Sequence, residues 1–297
     1  MTIALADGGI ETALTDRLGQ ELPEFAAFVL LDTEAGRQAL RDYYRPFIEL
    51  ADRAGLPLVL DTPTWRANPD WLALLGYEAG EIIRINAEAV ELLRALAAET
   101  GAGNSASVTI NGCVGPRTDD YVEGQRMTPE QAEAYHAPQI AALAAAGADR
   151  ITAVTMSDAA EAVGAVRAVR RVGATALASF TVGADGLLPS GETLAEAIRV
   201  VDAETEGAAL GFLVNCAHPA EAGRALEAAG AEGRLLGFRL NAAREGDEGA
   251  GDAPQAFADG MLALRELAPN AEVFGGCCGT DAPHIAAVAA SLARSSG

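Results

Sequence analysis

Short apolar runs recur along the chain at intervals of roughly 30 to 50 residues, the length of a strand–helix unit. A longer segment with helical spacing follows nearly every one. Eight candidate strands are readable: Ile3 to Ala6, Pro57 to Leu60, Ala106 to Ile110, Arg150 to Val154, Thr175 to Phe180, Gly211 to Val214, Leu236 to Leu240 and Glu272 to Phe274. Several are continuously apolar, as parallel strands covered on both faces must be. The spacing predicts helices over Arg37 to Ala54, Glu78 to Thr100, Thr128 to about Gly147, Asp158 to Arg171, Glu192 to Glu206, Ala220 to Ala229, Pro254 to Leu267 and Pro283 to Arg294. Thr128, Pro129 and Gln131 make a helix-opening cap pattern. Such an alternation predicts a single (β/α)8 barrel over residues 1–297. An open doubly wound sheet is the alternative, because repeated units alone do not show closure.

Composition narrows the partners. Acidic residues number 42 and basic residues 21, a net charge of −21. That balance argues against a nucleic-acid backbone or an anionic membrane surface. Half of the residues are hydrophobic, which excludes disorder over most of the chain. No apolar stretch approaches the ~18 residues of a membrane span, and Met1 to Gly9 lacks the features of a signal peptide. A cytoplasmic location is expected, where thiols stay reduced. Cys113, Cys216, Cys277 and Cys278 therefore read as buried thiols, metal ligands or nucleophiles before disulfides.

Unusual residues gather at the strand ends. These ends read Asp7-Gly8-Gly9, Asp61-Thr62-Pro63-Thr64-Trp65-Arg66, Asn111-Gly112-Cys113, Asn215-Cys216-Ala217-His218, Asn241, and Gly275-Gly276-Cys277-Cys278-Gly279-Thr280. A parallel barrel brings all of them to one face, the face that carries catalysis. Cys216, Cys277 and Cys278 would offer a metal three thiolates and an open fourth position, the pattern of catalytic zinc. Inert buried thiols and a redox pair are the competing readings. His218 is a candidate fourth ligand or a loop residue, Cys113 a packing residue, and His136 and His284 surface or packing residues. Asp7 either caps a loop or accepts hydrogen bonds from a substrate amine beside Gly8 and Gly9. Thr64 and Trp65 are candidate substrate contacts. Trp65 and Trp71 either pack between helix and barrel or wall a cationic donor, which an aromatic face attracts. Glu245 to Asp252 is a glycine-rich stretch, read as a surface loop or a lid.

These motifs resemble the homocysteine S-methyltransferases over nearly the whole chain. The likeness rests on Asp7-Gly8-Gly9, Gly112-Cys113-Val114-Gly115-Pro116, Val214-Asn215-Cys216-Ala217-His218-Pro219, and Gly275-Gly276-Cys277-Cys278-Gly279-Thr280 followed by Pro283-His284-Ile285. The resemblance implies a homocysteine-binding (β/α)8 barrel and Zn²⁺ held by Cys216, Cys277 and Cys278. It implies methyl transfer to the homocysteine thiol, giving methionine, with Asp7 and the glycine loop holding the amino-acid end of the substrate. Asn215 and Asn241 match asparagines of the family's motifs. The expected donor is a small onium compound, S-methylmethionine or S-adenosylmethionine, with betaine as the alternative. Two departures stand out. The aromatic-proline pair before Asn241 is replaced by Arg239-Leu240, and the glutamate that precedes threonine after strand four is Val154. Val154 cannot bind an amine, so either Asp7 or Asp61 replaces that glutamate or the acceptor is a different thiol.

Overall fold

The computed structural model describes residues 3–99, 107–118, 126–227, 233–247 and 249–295. Eight parallel strands close in chain order: β1 (Ala4–Ala6), β2 (Leu58–Asp61), β3 (Val108–Val114), β4 (Arg150–Met156), β5 (Ala176–Phe180), β6 (Ala209–Asn215), β7 (Leu235–Leu240) and β8 (Val273–Gly276). Leu5 of β1 faces Leu58 on one side and Phe274 on the other, so no sheet edge remains. The closed ring decides for the (β/α)8 barrel over the open sheet. Helices α1 (Ile10–Thr12), α2 (Glu34–Ala54), α3 (Pro69–Leu74), α4 (Glu81–Glu99), α5 (Pro129–Ala145), α6 (Ala159–Arg171), α7 (Leu194–Thr205), α8 (Pro219–Glu227), α9 (Pro254–Ala263) and α10 (Ala282–Ser295) connect and surround it. Among the described residues, no helix is long and apolar enough to cross a membrane.

Local chemistry explains where the helices begin. The Thr128 side chain accepts from the Gln131 amide while the Gln131 side chain accepts from the Thr128 amide, and Thr193 and Glu196 repeat this reciprocal cap on α7. Asp158 caps α6 through the Glu161 amide. The predicted ends at Thr100, Ala106 and Ala229 lie outside the described residues. Strand β3 runs on through Gly112 and Cys113 to Val114, because β4 pairs with it as far as Ala153. Residues 10–33, which carry no clear periodicity, form α1 and a chain of tight and wide turns over the barrel mouth.

Packing divides the interior into layers. A large apolar shell, including Tyr43, Phe47, Leu93, Val166 and Phe257, fills the space between barrel and helices. Inside the barrel lies a smaller layer of Ala6, Val59, Leu177, Leu213 and Val273. Side chains alternate faces along a strand, so residues two further on point inward again. Those residues are Asp61, Ser179 and Asn215, one step nearer the carboxyl ends of the strands. The apolar floor thus carries a polar storey above it.

Candidate active site

Three sulfur atoms meet above that storey. Cys216 follows β6, and Cys277 and Cys278 follow β8. The Cys216 sulfur lies 2.9 Å from that of Cys277 and 3.8 Å from that of Cys278. All three lie within 4.8 Å of one another, and no disulfide joins them. Cys216 reaches this position in left-handed backbone geometry, φ 53°, which costs a residue with a side chain about 1–2 kcal/mol. Its amide donates to the Arg239 carbonyl at 3.2 Å, and its carbonyl accepts from the Thr181 hydroxyl at 3.2 Å. The backbone is therefore held bent from both sides.

The β8 loop is clamped as firmly. A Cβ at Gly9 would lie 2.2 Å from the Cys277 carbonyl oxygen, and one at Gly276 would lie 1.9 Å from the Thr280 hydroxyl. Both positions need glycine because backbone passes directly against neighbouring backbone or a buried hydroxyl. The Gly9 amide donates to the Thr280 carbonyl at 3.1 Å, and the Gly279 amide donates to the Thr12 hydroxyl at 3.1 Å. Segments from the two ends of the sequence form one unit here.

This donor set fits a thiophilic ion. Ligands ~2.3 Å from a tetrahedral centre stand ~3.8 Å apart, as Cys216 and Cys278 do, whereas Cys216 and Cys277 at 2.9 Å would have to part slightly to hold it. Within the trio the Cys277 thiol falls well below its ordinary pKa, because Cys216 and then Cys278 hydrogen-bond to its thiolate. Cys216 is pushed well up by the same bond. His218 is not a fourth donor. Its Nδ1 accepts from the Ala220 amide at 3.1 Å, and its Nε2 donates to Asp252 at 3.0 Å. Among the described residues, no other group of three or more His, Cys, Asp or Glu side chains converges in this way.

The sulfurs border a cavity of about 80 Å³. Asp7, Asp61 and Glu11 line it together with Arg239, Val154, Thr155, Trp65 and Phe25. Arg239 of β7 lies buried between two carboxylates, 2.5 Å from Asp7 and 3.2 Å from Asp61. Asn111 donates to the other Asp61 oxygen at 2.7 Å. Asp7 is fully buried, and its Oδ2 has no hydrogen-bond partner. Burial pushes the Asp7 carboxyl up to about 7, against the opposing pull of Arg239. Burial also raises Glu11 to about 8, with Cys277 adding to the shift and Arg66 opposing it.

A native pKa raised above the unfolded one stabilises below the unfolded value and loses that stabilisation as pH climbs through the native value. For Asp7 the window runs from about 4 to about 7. Asp7→Asn removes this loss. Urea titrations at pH 5.5 and pH 8 are expected to show its stability relative to wild type improving by roughly 1–2 kcal/mol at the higher pH. An unchanged difference means that Asp7 ionises like an exposed carboxylate.

The remaining sequence candidates divide. Gly8 and Gly9 line the cavity, as does Asn215. The Asn215 side chain accepts from the Thr155 amide at 3.0 Å and from Ser179 at 2.5 Å, and donates to the Thr155 hydroxyl at 2.8 Å. It braces Thr155, another left-handed residue, φ 64°. Thr64 does not line the cavity; its buried hydroxyl donates to the Cys113 carbonyl at 2.7 Å. Asn241 lies outside it as well, with its amide on the Ala217 carbonyl and its buried Oδ1 without a partner. Trp65 borders the cavity, and the Arg66 guanidinium sits 4.9 Å from its ring centroid and 3.9 Å from that of Trp71. Cys113 is a buried wall residue outside the sulfur trio. No described residue of 245–252 lines the cavity. Asp252 instead anchors that loop to His218, and Glu245 ties it to the Ala184 amide at 2.8 Å.

Sequence reading passed over Glu11, Phe25 and the pairing of Arg239. The signal for Glu11 was its position two residues beyond Gly9. Phe25 gave none, because two consecutive left-handed residues, Glu24 and Phe25, place it.

The family model described as homocysteine S-methyltransferase matches residues 4–292. Among solved structures, the metallated form of the homocysteine methyltransferase MmuM from Escherichia coli is similar, with a TM-score of 0.78 at 24% identity, covering 98% of this chain and 96% of that one. Its oxidized form gives 0.77 at 22% identity, covering 97% and 96%. The apo form gives 0.72 at 23%, covering 98% and 96%. At these identities the likeness shows the shared barrel. No curated protein matches the sequence. With the family model spanning the barrel from its first strand to its last helix, the chain belongs to the homocysteine S-methyltransferase family and is a methyltransferase.

Proposed function

We propose that this enzyme moves a methyl group from a small sulfonium donor, S-methylmethionine or S-adenosylmethionine, to the thiol of homocysteine, giving methionine, with Zn²⁺ held by Cys216, Cys277 and Cys278. The convergence of three sulfur donors on a cavity that also carries an unpartnered buried carboxylate supports this reading. A bound Zn²⁺ would deprotonate the incoming thiol near neutral pH, where a free thiol with pKa ~8.5 is mostly protonated.

The chain's own groups do the rest. The open Oδ2 of Asp7 accepts an N–H from the substrate ammonium, and the Gly8–Gly9 turn beside it leaves room for the amino-acid end. Arg239 holds Asp7 in place through its other oxygen. Phe25 and Trp65, which both line the cavity, give the donor cation aromatic surface. Val154 and the buried Cys113 wall keep water away from the transfer line, and fixing both reactants in line supplies several kcal/mol of the barrier reduction. In this reading residues 1–297 form one homocysteine-binding barrel.

Val154 motivates a second reading: the same sulfur trio and barrel with another thiol acceptor, or with a betaine-type donor. The purified enzyme incubated with homocysteine and, in turn, S-methylmethionine, S-adenosylmethionine and betaine separates the two. Methionine is expected with a sulfonium donor. No methionine with any of the three overturns the homocysteine reading, and methylation of another thiol establishes the second.

A further inference from the structure

An amino-acid thiol brings an ammonium group into the cavity, and that group needs both acceptors and net negative charge. Three carboxylates line the space: Asp7, Glu11 and Asp61. Asp61 is committed on both oxygens, to Asn111 at 2.7 Å and to Arg239 at 3.2 Å. Asp7 gives one oxygen to Arg239 and keeps Oδ2 open while fully buried. Glu11 is different. Among the described residues its carboxylate makes no side-chain hydrogen bond and no ion pair, only a bond from its own backbone amide, and it is half-buried against the cavity. Arg239 therefore faces two carboxylates, and Glu11, which burial keeps largely protonated near neutral pH until a cation arrives, adds a third acid with no ion-pair partner among the described residues.

Its placement is rigid. Glu11 sits in the single turn of α1, between Gly9, whose backbone packs on the Cys277 carbonyl, and Thr12, whose hydroxyl receives the Gly279 amide. The carboxylate is thus fixed relative to the sulfur loop by backbone contacts on either side. Val154 offers the same cavity only methyl groups.

We infer that Glu11, together with the open oxygen of Asp7, binds the ammonium group of the acceptor thiol and makes the enzyme select an amino-acid thiol. The inference rests on the homocysteine reading above. A hydrogen bond to a charged group sets the size of the effect at about 10- to 100-fold in binding.

The test compares wild type, Glu11→Gln and Glu11→Asp, all zinc-loaded, on homocysteine and on 4-mercaptobutanoate, which has the same thiol and carboxylate but no amine. E11Q is expected to raise KM for homocysteine about 10- to 100-fold with kcat within about twofold. Its KM for 4-mercaptobutanoate and its zinc content stay unchanged, while E11D retains most of the homocysteine affinity. Methionine binding followed by tryptophan fluorescence, with Trp65 in the cavity wall, weakens by the same factor without any turnover. Adding V154E to E11Q, which returns a carboxylate to the same cavity, recovers part of the lost affinity. An E11Q variant with unchanged homocysteine KM, or with equal losses on both thiols, overturns the role of Glu11 while leaving the homocysteine reading intact. Failure of the wild type itself to methylate homocysteine sinks both.

Discussion

Cys277→Ser is expected to abolish zinc binding and to lower kcat/KM for methyl transfer at least about a thousandfold. Two losses multiply. Without a metal, a free thiol with pKa ~8.5 is only about 3% ionised at pH 7. The sulfur also loses its fixed position, and positioning alone accounts for several kcal/mol. Cys216→Ser and Cys278→Ser should behave alike, because all three sulfurs lie within one coordination sphere of each other. Cys113→Ser is the control. Its sulfur lines the cavity but stands outside the trio, so metal content should stay near one per chain. Metal analysis by emission spectroscopy alongside steady-state kinetics checks all four. Full turnover by metal-free C277S defeats the zinc mechanism for any acceptor.

Arg239→Met carries the largest expected effect on stability. Arg239 offsets two buried carboxylates at once, and removing one partner of a buried charge cluster costs about 3–5 kcal/mol. The cost should depend on pH in a defined direction. Without the guanidinium, the native pKa of Asp7 rises further above its unfolded value. Stability from such groups is present below about pH 4 and lost as pH climbs through the native pKa. Urea unfolding at pH 5.5 and pH 8 should therefore show a smaller deficit at pH 5.5. A pH-independent deficit identifies lost packing of the long side chain as the cause.

The barrel was legible because its signal repeats. Each strand is a short apolar run followed by a helical segment, and Thr128 or Asp158 marks a helix start without tertiary help. Closure was not legible. It depends on β1 pairing with β8, a contact between residues nearly the whole chain apart. Cys216, Cys277 and Cys278 stood out because three thiols at two strand ends are chemically conspicuous. Thr64 looked equally exposed to substrate in sequence, yet the backbone turns its hydroxyl back onto Cys113. Arg239 sits in a strand that reads as apolar, and only the barrel interior reveals that two aspartates await it. Glu11 and Phe25 enter the cavity through turns whose geometry comes from packing against the 277–280 loop or from strained backbone, and neither leaves a periodic trace.

The pairing of β8 with β1 sets an order of events for a chain made from its amino end. Two of the three sulfurs arrive on the last strand, and the glycine turn that they lean on was made first. No metal pocket exists until the ring has shut. A metal held by the trio would thus report finished assembly, because a nascent or partly opened chain keeps Cys216 apart from the Cys277–Cys278 pair.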